Sequence, residues 1–103
     1  MSPRRRLPDH PTGAQLRAAR GLLNLSLTQL SEQTGLALNT LKRAEAVNTL
    51  APITSANAKL LVTVLSAAGV IFIPSEGSLG SGVRLASDNV PIERRRRRTG
   101  QPE

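Results

Sequence analysis

Apolar residues recur along this chain with two different periods, and the change of period divides it. Over residues 12–24, Leu16, Ala19, Leu22 and Leu23 fall on one face at helical spacing, while Arg17 and Arg20 point elsewhere. Thr12 and Gln15 stand at capping-box spacing, where hydroxyl and amide satisfy backbone donors that a first helical turn leaves unpaired. Ser26 and Gln29 repeat the pattern ahead of a short helix that includes Leu27, Leu30 and Ser31 and runs to about Thr34. Gly35 stops it, because glycine accepts the left-handed conformation that helix ends often need. A third helix is predicted from about Leu38 to Ala46, with Leu41 and Ala44 inward and Asn39, Lys42 and Arg43 on its other sides. Residues 48–52 read as a loop. A longer helix follows from about Thr54 to Ala68, with a stripe of Ala58, Leu61, Val62 and Leu65, and Gly69 as its stop.

After Gly69 the helical period is lost. Val70, Ile71, Phe72 and Ile73 form a β-branched and aromatic run ended by Pro74, and Val83-Arg84-Leu85 alternates apolar with charged. The Gly- and Ser-rich residues between them read as a flexible hairpin loop. The expected fold is therefore mainly α: a small bundle of about four helices, followed by a C-terminal β-hairpin over about residues 70–86.

Charge and length sharpen this division. A chain of 103 residues has room for one packed domain. Residues 1–11 hold three consecutive arginines and three prolines, and residues 93–103 hold five consecutive arginines. Neither stretch has enough apolar surface to offset the entropy of ordering it, so both are expected to be disordered basic tails flanking a domain at 12–92. The net charge is +7, yet residues 12–92 carry six basic against four acidic side chains, so +5 of the total sits on the tails. Arginine runs are drawn to phosphate polymers and anionic membrane surfaces without choosing sequence, and equally serve as solubilising ends. His10, in the first tail, is expected to be solvated.

Several classes of function lose support. There is no cysteine, hence neither a disulfide framework nor a cysteine-zinc site, and no metal or cofactor is expected. No apolar run approaches the roughly 20 residues of a membrane span, and the first residues lack a signal peptide's apolar stretch, so a cytoplasmic location is expected. Carboxylates are few and scattered, and the single histidine, His10, falls in the Pro-rich opening, so an enzyme is not expected. The absence of Trp and Tyr removes the stacking platforms of single-strand nucleic-acid binders.

Helix, short turn with Gly35, then helix is the spacing of a helix-turn-helix. Residues 26–45, with Leu30 inward, Gly35 at the turn and Thr40-Leu41 in the second helix, resemble the XRE (Cro and phage-repressor-like) family. Gln15-Leu16-Arg17-Ala18-Ala19-Arg20 is similar to that family's first helix, and residues 65–73 with 82–85 resemble short members ending in a strand pair. The resemblance implies double-stranded DNA as partner, a dimeric transcriptional regulator, and an ion pair between Glu45 and an arginine of the first helix, Arg20 or Arg17. Two positions depart from the family pattern. Leu27 stands where a phosphate-touching glutamine is common, and Ala37 stands where a serine often caps the second motif helix. Losing that cap costs roughly 1 kcal/mol. Leu27 and Leu38 are expected to make the DNA-facing surface unusually apolar.

In such a fold the second motif helix lies in the major groove with its N-terminal residues nearest the base edges. Asn39 then suits an adenine edge and Arg43 a guanine edge, Lys42 supplies charge near phosphate, and Ala37 and Leu38 touch thymine methyls. Leu38, Asn39, Lys42 and Arg43 are thus the base-reading candidates. Thr28, Gln29, Thr40, Asn48 and Thr49 are the phosphate candidates. The alternative for the polar side chains is the solvated face of an amphipathic helix. The hairpin residues Ile71, Phe72, Ile73, Val83 and Leu85 are the candidates for a homodimer surface, or else cover the protomer's own core. A second functional reading also stands: a protein-interaction module, antiactivator- or antitoxin-like, that binds another regulator through its apolar helix-turn-helix face or its hairpin.

Overall fold

Two side-chain caps set where the first two helices begin. Thr12 Oγ1 accepts from the Gln15 amide at 2.9 Å while Gln15 Oε1 accepts from the Thr12 amide at 3.0 Å, and α1 (Gly13–Leu23) starts there. Ser26 and Gln29 repeat the exchange ahead of α2 (Leu27–Thr34). Asn24, at φ 58°, ends α1 in the left-handed conformation, and Gly35, at φ 80°, ends α2 the same way. After Gly35, Leu36 and Ala37 the chain enters α3 (Leu38–Glu45), whose start has no side-chain cap. Then α4 (Ser55–Ala67) starts on the Thr54 hydroxyl and leads through Gly69 into β1 (Val70–Ile73) and β2 (Gly82–Leu85). The computed structural model describes residues 10–88, so both arginine runs lie outside the described residues.

The four helices and the antiparallel hairpin match the fold expected from periodicity. Leu16, Leu23, Leu30, Leu41, Leu61 and Leu65 meet at the centre, each 3 % exposed or less. Burial on that scale contributes about 1.5–3 kcal/mol per leucine. The hairpin closes this core from α1 and α4. Val70 pairs with Leu85 and Phe72 with Val83, and strand alternation turns Val70 and Phe72 inward, where they are 2 % and 3 % exposed.

Two expectations are corrected. His10 and Pro11 belong to the domain: Pro11 is fully buried, its carbonyl accepts from the Ala51 amide at 3.0 Å, and His10 Nε2 donates to the Ala51 carbonyl at 2.7 Å. The loop between the strands is not wholly irregular. Glu76 and Leu79 exchange two backbone hydrogen bonds of 2.9 Å around Gly77, whose φ of 60° is what a two-residue hairpin turn demands. For the hairpin residues, where a dimer surface and a cover over the protomer's own core both stood open, Phe72 lies in that core and Val83 and Leu85 pack partly against it. Only Ile71 and Ile73 stand on the outer face, with Ile73 37 % exposed.

Candidate nucleic-acid interface

The exposed side of α3 owes its orientation to contacts on the buried side. Leu41 and Ala44 anchor the helix in the core, and Glu45 is buried to 6 % exposure beside them. That carboxylate is matched by Arg20 of α1, whose Nε donates to Oε2 at 2.9 Å and whose Nη2 donates to Oε1 at 2.7 Å. The remaining Arg20 nitrogen, Nη1, donates to the Leu25 carbonyl at 2.9 Å, so the guanidinium ties three segments together. Hydrogen bonding to Glu45 raises the Arg20 pKa; burial opposes the shift and the carboxylate's charge reinforces it.

Arg17, one turn earlier on α1, serves the C-terminal end of the same helix. Its guanidinium donates to the carbonyls of Glu45 and Val47 and to Asn48 Oδ1, satisfying acceptors that a helix end leaves open and placing positive charge at the negative end of the dipole. Contact here is close. A β-carbon at Gly13 would collide with the carbonyl oxygens of Val47 and Ala44, so α1 begins directly against the last turn of α3.

At the other end of α3 the turn is fixed by hydroxyls. Ser31 Oγ donates to the Leu36 carbonyl at 2.6 Å, and Thr34 Oγ1 donates to the Leu30 carbonyl at 2.8 Å while accepting from the Leu36 amide. These bonds hold the turn that Gly35 opens, and thereby set where Ala37 and Leu38 emerge.

The result is a sorting of cations. Arg17 and Arg20 are engaged in holding α3, whereas the side chains of Lys42 and Arg43 are exposed and engage no described residue through a hydrogen bond or ion pair. Asn39, exposed as well, lies on the same side at the i, i+3 and i+4 spacing that makes helix neighbours. Leu38 joins them at 37 % exposure. Leu27, expected to make this surface apolar, instead packs partly against the core.

The phosphate candidates divide. Thr28 is exposed on α2, and Gln29 has its carbonyl oxygen committed to the Ser26 amide. Asn48 is held by Arg17, and the Thr49 carbonyl accepts from the Gly13 amide at 2.9 Å. Thr40 is half-buried and, with Arg43, lines a cleft of about 480 Å³ completed by Pro52, Ile53, Thr54 and Asn57. Sequence reading missed the last four as a site. A visible signal was the Thr54-to-Asn57 spacing, which marks the cap of a helix whose start faces Arg43 across the cleft.

Among the described residues, no group of three or more His, Asp or Glu side chains is placed to hold a metal ion, and no helix is long and apolar enough to cross a membrane. No family model, no curated protein and no solved structure matches the chain.

Proposed function

We propose that this protein binds double-stranded DNA as an XRE-like transcriptional regulator, laying α3 in the major groove. The observation that carries the reading is the sorting of cations: two arginines are consumed in orienting α3, and two cations on that helix remain without partners among the described residues. Arg43 and Asn39 offer bidentate groups to guanine and adenine edges. Lys42 supplies charge toward phosphate. Thr28 and Thr40 flank them and set register without reading sequence. One such module buries little DNA, so two copies on half-sites about one helical turn apart are expected, with Ile71 and Ile73 as the apolar residues left for contact between copies. Selection from a random duplex library with the full chain tests this. Enrichment of a two-fold symmetric consensus is expected, and no enrichment would overturn the reading.

The hairpin leaves both Ile73 and Leu79 exposed, to 37 % and 72 %, which favours a second reading in which the protein docks on another regulator. That reading predicts Leu79→Asp to abolish regulation in cells while leaving any duplex affinity unchanged.

A further inference from the structure

Ala51 lies where two backbone connections meet. Its amide donates to the Pro11 carbonyl at 3.0 Å, and its carbonyl accepts twice, from the Ile53 amide at 2.8 Å and from His10 Nε2 at 2.7 Å. The bond from Ile53 closes a three-residue turn, Ala51-Pro52-Ile53. Proline at its centre has a fixed φ, so the orientation of the Ala51–Pro52 peptide largely decides where the turn points. Ala51 is 3 % exposed and Pro11 is fully buried, so little water competes for these groups. His10, 41 residues away in sequence, adds the side-chain bond that holds the peptide in place.

The turn carries a wall beside α3. Pro52 and Ile53 line the cleft of about 480 Å³ together with Thr40 and Arg43, and Thr54 and Asn57 at the start of α4 complete it. The Arg43 side chain is exposed and engages no described residue through a hydrogen bond or ion pair, so the cleft is what bounds its movement. An arginine that samples many rotamers loses that freedom when it is fixed on a base edge. A wall that narrows the choice beforehand makes the loss smaller.

We propose that His10 is a positioning residue for Arg43. By bonding the Ala51 carbonyl it sets the Pro52–Ile53 wall, and the wall holds Arg43 near the geometry that reads a guanine edge. The inference rests on the duplex-binding reading and assigns part of the specificity to a side chain outside α3. It also gives a use to the burial of the chain's entry: Pro11, Thr12 and Gly13 are joined to residues 49–51 by backbone bonds, so His10 arrives at the Ala51 carbonyl on a fixed support.

The test compares His10→Ala, His10→Gln, Arg43→Ala and the double variant His10→Ala/Arg43→Ala with the wild type, all as full chains, on a duplex selected by the wild-type protein. The base pair at which Arg43→Ala loses preference is located first. Discrimination is then the ratio of affinities for the selected duplex and the same duplex altered at that base pair, measured well below each variant's melting temperature. His10→Ala is expected to lower this ratio by roughly 3- to 10-fold, and to lower it no further once Arg43 is gone. His10→Gln places an amide donor at a similar distance along the side chain and should restore most of the ratio. Equal loss of affinity for both duplexes in His10→Ala, an additive loss in the double variant, or no recovery in His10→Gln would overturn the positioning role while leaving the α3 reading intact. An Arg43→Ala variant that loses preference at no base pair would overturn both.

Discussion

Arg20 holds Glu45 through two hydrogen bonds, 2.9 and 2.7 Å long, that join the middle of α1 to the last turn of α3. The pair lies 25 residues apart in sequence, and Glu45 is nearly closed to solvent, so the bond acts as a strut inside the fold. On the same helix, Lys42 and Arg43 stay open to solvent. Buried matching of one charge pair and free presentation of the other belong to one arrangement.

Removing half of the strut should cost more than the strut contributes. Glu45→Ala leaves the Arg20 guanidinium partly buried without its carboxylate, and a loss of about 2–4 kcal/mol in unfolding free energy is expected. Arg20→Met, which removes the charge and keeps the volume, leaves Glu45 buried and unpaired and should cost a similar amount. Urea denaturation of both variants checks this. A loss below about 0.5 kcal/mol in both would show that the pair holds nothing in place. The Arg20 pKa is raised, so its contribution is fully present below the unfolded value and is lost only above arginine's already high range. Stability between about pH 7 and pH 10 should therefore not fall on its account.

Two glycines of α1 should respond in opposite directions to alanine. Gly13→Ala drives a methyl group into the carbonyls of Val47 and Ala44 and should destabilise by about 1–3 kcal/mol. Gly21 has no neighbour near its missing β-carbon, so Gly21→Ala should stabilise by roughly 0.5–1 kcal/mol through helix propensity. Thermal unfolding of the two proteins side by side decides it; shifts of the same sign would contradict the packing of α1 on α3.

Gln15 should prove to be the pin between the helices and the hairpin. Its Nε2 donates to the carbonyls of Gly82 at 3.0 Å and Ile73 at 3.3 Å, while its Oε1 caps α1. Gln15→Ala removes all three hydrogen bonds at a cost of about 1–3 kcal/mol and should speed amide exchange in β1 and β2 more than in α4. Uniform acceleration through the whole domain would show a global effect instead.

A cap at the bare start of α3 should be recoverable. Ala37 has extended backbone angles and makes no side-chain hydrogen bond to the helix, so Ala37→Ser should add about 0.5–1 kcal/mol. An unchanged melting temperature would mean that the first amides of α3 are already satisfied by solvent.

The elements of the chain were readable because their signals are local. Thr12 with Gln15, Ser26 with Gln29, and Gly35 all act within a few residues, so the helix boundaries follow from spacing alone. The candidate face of α3 followed from the same periodicity, since Leu41 and Ala44 assign inward and Asn39, Lys42 and Arg43 outward. What stayed hidden are contacts between distant residues. The hydrogen bond from His10 to Ala51 spans 41 residues and the reach of Gln15 to Gly82 spans 67, and no period encodes either. A proline-rich, arginine-rich opening looks like a tail by composition, yet burial of Pro11 makes its last residues part of the domain. Leu27 followed the same logic. Its neighbours mark a helix, but only the docking of α2 decides that its side chain leans on the core.

The most direct test of the central claim is the affinity of Arg43→Ala for two duplexes, the best one selected by the wild-type chain and a scrambled duplex of equal length. Arg43 as a base-reading residue predicts a loss of about 1–3 kcal/mol, roughly 5- to 150-fold, on the selected duplex and little change on the scrambled one. Wild-type protein with no preference between the two duplexes, or an Arg43→Ala variant that loses nothing on either, would contradict the account of α3 as the DNA-reading helix.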